Sequence, residues 1–154
     1  MADDRTGTGM GEGRLSLRIA NDLGELSRVA ERVEEFCANL GLQPGYAFKL
    51  NVAIEELLTN TISYGYDDTG RHEIAVELTR DGETIVTELS DDAQPFDPLN
   101  APPPDLESRI EDRRIGGLGV HLVKTLMDDV VYAYRGGRNH ITLRKKIAAD
   151  SDAG

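Results

Sequence analysis

Two stretches with apolar residues at helical spacing follow one another closely and commit the first part of the chain to a pair of helices. In the first, Leu23, Leu26, Val29, Ala30, Val33, Phe36 and Leu40 recur every third or fourth residue, and Gly41 ends the run. Asn21-Asp22 starts it, with Glu25 three residues after Asp22 as in a capping box. Pro44 opens the second at a first-turn position, and Ala47, Leu50, Ile54, Leu57, Leu58, Thr61 and Ile62 form its apolar arc. An apolar stripe on a helix needs a second layer to cover it. Period-two runs supply one. Leu15, Leu17 and Ile19 alternate with Ser16 and Arg18, and Ile74, Val76 and Leu78 alternate likewise. Residues 85–89, 130–134 and 140–147 read as further strands, with Asp81-Gly82 and Arg135-Gly136-Gly137 as hairpin turns. A third helix follows Gly119, carrying Val120, Leu122, Val123, Leu126 and Met127. This order predicts an α+β two-layer sandwich, a mixed or antiparallel sheet with helices on one face.

The chain has 154 residues, enough for one domain with a proper core. That domain is expected over residues 14–147. Residues 1–13, rich in Gly, Thr and Asp, are expected to form a disordered tail, neither signal peptide nor transit peptide, and residues 148–154 a C-terminal tail. No window approaches the ~20 apolar residues of a membrane span, so no membrane partner and a cytoplasmic location are expected. The net charge is −11, from 28 acidic against 17 basic residues. That balance disfavours nonspecific binding to nucleic acid and suits a partner with a basic patch, or simply a solvated acidic surface. The single cysteine, Cys37, cannot form an intrachain disulfide and sits in an apolar helical pattern, as a buried structural thiol does.

Three polar features stand out from this frame. Glu56 and Asn60 lie one turn apart, well off the centre of the second helix's apolar arc. A carboxylate there can accept a proton or hold a water, and an amide oxygen beside it can ligate a hard cation such as Mg²⁺. Glu55 is adjacent but about 100° round the helix, and is the lesser candidate. Asp91-Asp92-Ala93-Gln94-Pro95 forms an acidic turn directly after a strand. Gly116-Gly117-Leu118-Gly119 can bring bare backbone N–H groups to a phosphate at a helix N-terminus. Residues 95–115, Pro-rich and charged, are long enough to form a lid. The histidines His72, His121 and His140 show no metal-ligand spacing, and Lys145-Lys146 is too short for a nucleic-acid patch.

The helix with Glu56 and Asn60, the Asp-led loop and the late Gly-Gly-Leu-Gly helix start, in that order, resemble the GHKL (Bergerat-type) ATPases. Within them the sequence is most similar to the small anti-sigma-factor serine kinases of bacterial partner switching, over residues 14–147. The resemblance implies ATP and Mg²⁺ as ligands. It implies Glu56 as the general base and Asn60 as the Mg²⁺ ligand. It places adenine at Asp91, with Asp92 as the fallback, beside Ala93 and Pro95. It places the phosphates at Gly116, Gly117, Leu118, Gly119 and Val120. Arg114, or Arg113 before it, would reach the γ-phosphate, and Thr142 would back the adenine site. One departure is Ala93, where the family pattern has a glycine. If that position requires a positive φ, alanine is costly there. The implied function is a serine/threonine protein kinase and anti-sigma factor. Its implied partners are an anti-anti-sigma antagonist and an RNA polymerase sigma factor, with a homodimer expected. No histidine-bearing helix precedes the domain, so a complete sensor histidine kinase is not expected. A nucleotide-gated binding protein without kinase activity, or an interaction protein with no nucleotide, would present the same composition.

Overall fold

The computed structural model describes residues 8–11, 13–100 and 117–147. The elements run β1 (Thr8–Gly11), β2 (Arg14–Ala20), α1 (Leu26–Asn39), α2 (Pro44–Tyr64), β3 (Glu73–Asp81), β4 (Thr84–Asp91), α3 (Gly117–Leu126), β5 (Asp129–Arg135) and β6 (Arg138–Lys146). The strands form one six-stranded sheet in the order β1-β2-β3-β4-β6-β5. Every neighbouring pair is antiparallel. The sandwich is therefore as expected, with the antiparallel of the two sheet types. Inside the stretch expected to be disordered, residues 8–11 pair with β2, from Thr8 opposite Leu17 to Gly11 opposite Arg14. Residues 1–7 and 12 of the expected N-terminal tail, the expected C-terminal tail at 148–154 and most of the expected lid lie outside the described residues.

Local sequence explains the element ends. The first helical run does not begin as an α-helix at Asp22. A single 3₁₀ turn, Leu23–Glu25, comes first. Asp22 caps that turn by accepting from the Gly24 N–H at 2.9 Å. Glu25 reaches back to the Ala20 N–H at 2.9 Å, two residues before the cap, so the reciprocal half of the capping box is displaced onto β2. At the other end of α1, Gly41 takes φ +76. Its N–H bonds to the Ala38 carbonyl at 2.9 Å and the Leu42 N–H to the Cys37 carbonyl at 3.0 Å, a Schellman closure. Gly136 and Gly137, both at positive φ, make the two-residue turn between β5 and β6.

Strand alternation sorts the sheet into two faces. Leu15, Leu17, Ile19, Ile74, Val76, Leu78, Ile85, Leu89, Ile141 and Leu143 point to one side and are buried. There they share one core with Val29, Val33 and Phe36 of α1, Leu50, Ile54, Leu57 and Leu58 of α2, and Val123 of α3. Each such side chain contributes roughly 1.5–3 kcal/mol by leaving water. Cys37 belongs to this core, and burial pushes its thiol up to about 12. Helix α2 packs against both α1 and α3. No helix among the described residues is long and apolar enough to cross a membrane.

Candidate nucleotide-binding site

Helix α2 carries the first two candidates. Its core arc, Ala47, Leu50, Ile54, Leu57 and Leu58, turns to the sheet. Glu55 is exposed, whereas Glu56 and Asn60 are half-buried. Glu56 Oε2 and Asn60 Oδ1 are shielded from solvent and have no hydrogen-bond partner among the described residues. An orphaned buried acceptor is costly and rare in a folded protein. Here two stand one turn apart on the same helix. Burial raises the Glu56 carboxyl above the ordinary glutamate value, and the neighbouring Glu55 charge adds to the shift. Among the described residues no group of three or more acidic, histidine or cysteine side chains is placed to hold a metal. A lone amide oxygen is a fitting donor for Mg²⁺, which takes few protein ligands and fills its shell with water and phosphate oxygens.

The acidic loop hangs from the end of β4 and is tied to the end of α2. The Gln94 N–H bonds to the Gly65 carbonyl at 3.0 Å, and Gln94 Nε2 to Asp67 Oδ2 at 2.7 Å. Asp91 ends β4 on its buried face and is 5% exposed. Its Oδ1 accepts from the Ala93 N–H at 3.0 Å, an Asx turn that bends the chain out of the sheet. Ala93 is buried. Among the described residues only glycines have positive φ, so the alanine at this position carries no left-handed strain. Pro95 and Phe96 are exposed at the loop's outer side.

Asn139 on β6, opposite Asp91 in the register, fastens this loop to the sheet. Its Nδ2 donates to Asp91 Oδ1 at 2.9 Å, to the Gln94 carbonyl at 3.0 Å and to the Ala93 carbonyl at 3.2 Å. Its Oδ1 accepts from the Phe96 N–H at 3.2 Å and from the Tyr132 hydroxyl. Neither the notable spacing nor the resemblance singles out Asn139. The signal available was an amide on the same strand face as Ile141 and Leu143. The same alternation corrects Thr142. Thr142 pairs with Glu88 and Val131 on the face turned away from the helices and from Asp91, so it does not back the site. Asn139 stands there instead.

A second polar cluster flanks the loop. His72 Nδ1 lies 3.2 Å from Asp92 Oδ2, and its Nε2 lies 2.9 Å from Asp68 Oδ1. The Tyr66 ring stacks on the imidazole at 4.3 Å, and its hydroxyl donates to Asp92 Oδ1 at 3.3 Å. The hydrogen bond to Asp68, then that to Asp92, raises the His72 pKa. Burial works against ionisation of Asp92, yet the His72 hydrogen bond and charge hold that carboxyl below its ordinary value. Asp92 is thus engaged with His72 and Tyr66, while Asp91 is engaged through its Oδ1 with the Ala93 N–H and the Asn139 amide.

The glycine turn is part of α3 itself. Gly117, Leu118, Gly119 and Val120 form the first turn of the helix rather than a loop before it. Their N–H groups are those a helix leaves without intrahelical partners. The Val120 side chain is buried, so this residue has only its backbone to offer a phosphate. Lys124 of α3 donates to the Leu99 carbonyl at 3.4 Å, linking α3 to the segment after the acidic loop. Arg113, Arg114 and Gly116 lie outside the described residues.

A profile of the histidine kinase-like ATPase domain family matches residues 19–145. The chain is similar to the serine/threonine-protein kinase BtrW of Bordetella bronchiseptica, 30% identical over 106 residues that cover 68% of this chain and 73% of the relative. It is also similar to the serine-protein kinase RsbW of Listeria monocytogenes, 34% identical over 92 residues, 57% of this chain and 59% of the relative. In three dimensions it resembles a crystal structure of the RsbU and RsbW domains of a Mycobacterium tuberculosis protein, with a TM-score of 0.57 and 18% identity. The match covers 86% of this chain and 32% of that one, and it bears on the fold alone.

Proposed function

We propose a protein kinase on a plain premise: the chain belongs to the histidine kinase-like ATPase domain family, in the branch that holds the serine-protein kinases RsbW and BtrW. It is an ATP-dependent serine/threonine kinase that works by partner switching. In the finer reading, it phosphorylates a small anti-anti-sigma antagonist and sequesters a sigma factor while that antagonist is phosphorylated. The observation that carries the chemistry is the pair of orphaned acceptors, Glu56 Oε2 and Asn60 Oδ1, on one face of α2.

Each residue then has a task. Asp91 accepts the adenine amino hydrogen. The first-turn N–H groups of α3 meet the phosphates, favoured by the helix dipole. Asn60 holds Mg²⁺, which supplies charge neutralisation at the phosphates when bound. Glu56 takes the proton of the substrate hydroxyl as that oxygen bonds to the γ-phosphorus and the bond to the β-phosphate oxygen breaks, releasing ADP. The raised pKa of Glu56 makes it a stronger base than a solvated glutamate. Ala93 gives no reason to set phosphate transfer aside, since it sits without backbone strain. A homodimer follows the family pattern and is checked by light scattering.

The test is transfer of labelled γ-phosphate from Mg·ATP to an antagonist encoded beside this chain's gene. Label on an antagonist serine or threonine is expected. ATP binding without transfer to any such antagonist would replace the kinase with a nucleotide-gated binder.

A further inference from the structure

Asn139 is saturated. An amide side chain has two N–H donors and two acceptor lone pairs. Here the nitrogen faces three acceptors, Asp91 Oδ1 and the carbonyls of Ala93 and Gln94, and the oxygen faces two donors, the Phe96 N–H and the Tyr132 hydroxyl. Turning the amide over would set oxygen against three acceptors, so its orientation is fixed by its surroundings. It has no donor left for a ligand. Asp91 is treated unequally as a result. Its Oδ1 takes both the Asn139 amide and the Ala93 N–H, while no hydrogen bond engages its Oδ2 among the described residues.

We propose that Asn139 is the positioning residue that sets base preference at this site, by fixing which oxygen of Asp91 meets the base. The proposal rests on the nucleotide site described above and deepens it. With Oδ1 held by two donors, Oδ2 faces the base as an acceptor. A purine with a 6-amino group supplies the matching donor. A purine with a 6-oxo group sets acceptor against acceptor and leaves a desolvated carboxylate oxygen unpaired. The preference thus belongs to the pair, with Asp91 supplying the contact and Asn139 its orientation.

This orientation makes a reversal testable. In Asp91→Asn, the Asn139 amide and the Ala93 N–H both demand an acceptor at the Oδ1 position, so the new carboxamide must place its oxygen there. Its nitrogen then takes the position of Oδ2 and faces the base as a donor. Binding of Mg·ATP and Mg·ITP to the full chain is measured by competition against a fluorescent ATP analogue. The two nucleotides differ in the 6-substituent and, with it, in N1, which carries a hydrogen in ITP and none in ATP.

Wild type is expected to prefer ATP by about 10- to 100-fold, the worth of one hydrogen bond to a charged group. Asp91→Asn is expected to prefer ITP. Asn139→Ser, which frees residue 91 to rotate, is expected to bring the two affinities within about threefold of each other. Should Asn139→Ser fail to fold, Tyr132→Phe removes only the hydroxyl that steadies the Asn139 oxygen, and the ATP-to-ITP ratio is expected to narrow. A merely structural role for Asn139 would weaken both nucleotides alike and leave the ratio unmoved, which overturns the proposal. So does an Asp91→Asn variant that still prefers ATP. If wild type binds both nucleotides equally, the nucleotide site stands and the proposal falls. If it binds neither, the nucleotide site itself falls.

Discussion

The methyl group of Ala93 occupies the room that a side chain on Gly65 would need. A Cβ on Gly65 would stand 2.9 Å from Ala93 Cβ and 2.6 Å from the Thr61 carbonyl oxygen. The glycine expected in the acidic loop is absent, and the close approach is provided from the other side, by a glycine at the end of α2. Gly65→Ala is therefore expected to destabilise the fold by about 1–3 kcal/mol through overpacking, read by urea denaturation. Ala93→Gly is expected to cost about 1 kcal/mol, one buried methyl with added backbone freedom. It should preserve or strengthen ATP affinity. Weaker ATP binding in Ala93→Gly would mean that this loop does not meet the base.

Asn60→Ala removes an acceptor that has no hydrogen-bond partner among the described residues. Its melting temperature without ligand is expected to equal or exceed that of wild type, since an unsatisfied buried group is lost. Calorimetry should show Mg·ATP binding abolished or strongly weakened. Unchanged Mg·ATP affinity would remove Asn60 from the metal site.

Glu56→Gln keeps the shape and a hydrogen-bonding oxygen but loses the base. ATP affinity is expected to stay near normal, while phosphate transfer falls by roughly 10²- to 10⁴-fold. The raised carboxyl pKa also fixes a sign. Transfer needs the ionised form, so the acid limb of the pH–rate profile should lie above the ordinary glutamate value. Over that same interval stability should decline as pH rises, because ionising Glu56 is harder in the folded chain than in the unfolded one. Equal transfer rates in Glu56→Gln and wild type would show that another group takes the proton.

His72, held between Asp68 and Asp92, has a pKa raised above its ordinary 6.5. The clamp's contribution to stability is present in full below that value and fades as pH rises through the folded-state pKa. An NMR titration of the ring protons should place the His72 midpoint above 6.5. Asp68→Asn should lower it more than Asp92→Asn, since the Asp68 hydrogen bond is the larger cause. A midpoint that neither variant moves would deny the clamp.

Most of the frame was readable because it rests on periodicity. The burial of Leu15, Leu17 and Ile19, the arc of α2 and the Gly136-Gly137 turn all follow from spacing and turn chemistry. The α-helical start at Leu26 was obscured because Asp22 caps a 3₁₀ turn and Glu25 spends its carboxylate on β2. Motif order points to Thr142, whereas strand alternation against Ile141 and Leu143 turns it to the opposite face of the sheet. Asn139 carries no local mark at all. Its importance arises from the β4–β6 register, which brings it to Asp91 across 48 residues, and no local pattern encodes that pairing. The Gly65–Ala93 contact is likewise a size exchange between distant segments, visible only once α2 and the loop are docked.

The strand order also constrains how the chain comes into being. β6, spanning Arg138–Lys146, is inserted between β4 and β5 rather than added at a rim. On a ribosome, β4 emerges some 50 residues ahead of its partner, with a full row of unpaired backbone groups waiting on one side. Until Lys146 has cleared the exit tunnel, the nascent domain is a half-sheet with an adhesive rim, exposed to whatever strand drifts past. A nonsense mutation before Arg138 would therefore yield a product prone to clump, in contrast to the loss of a border strand such as β1, which leaves the pairing of β2 through β6 intact.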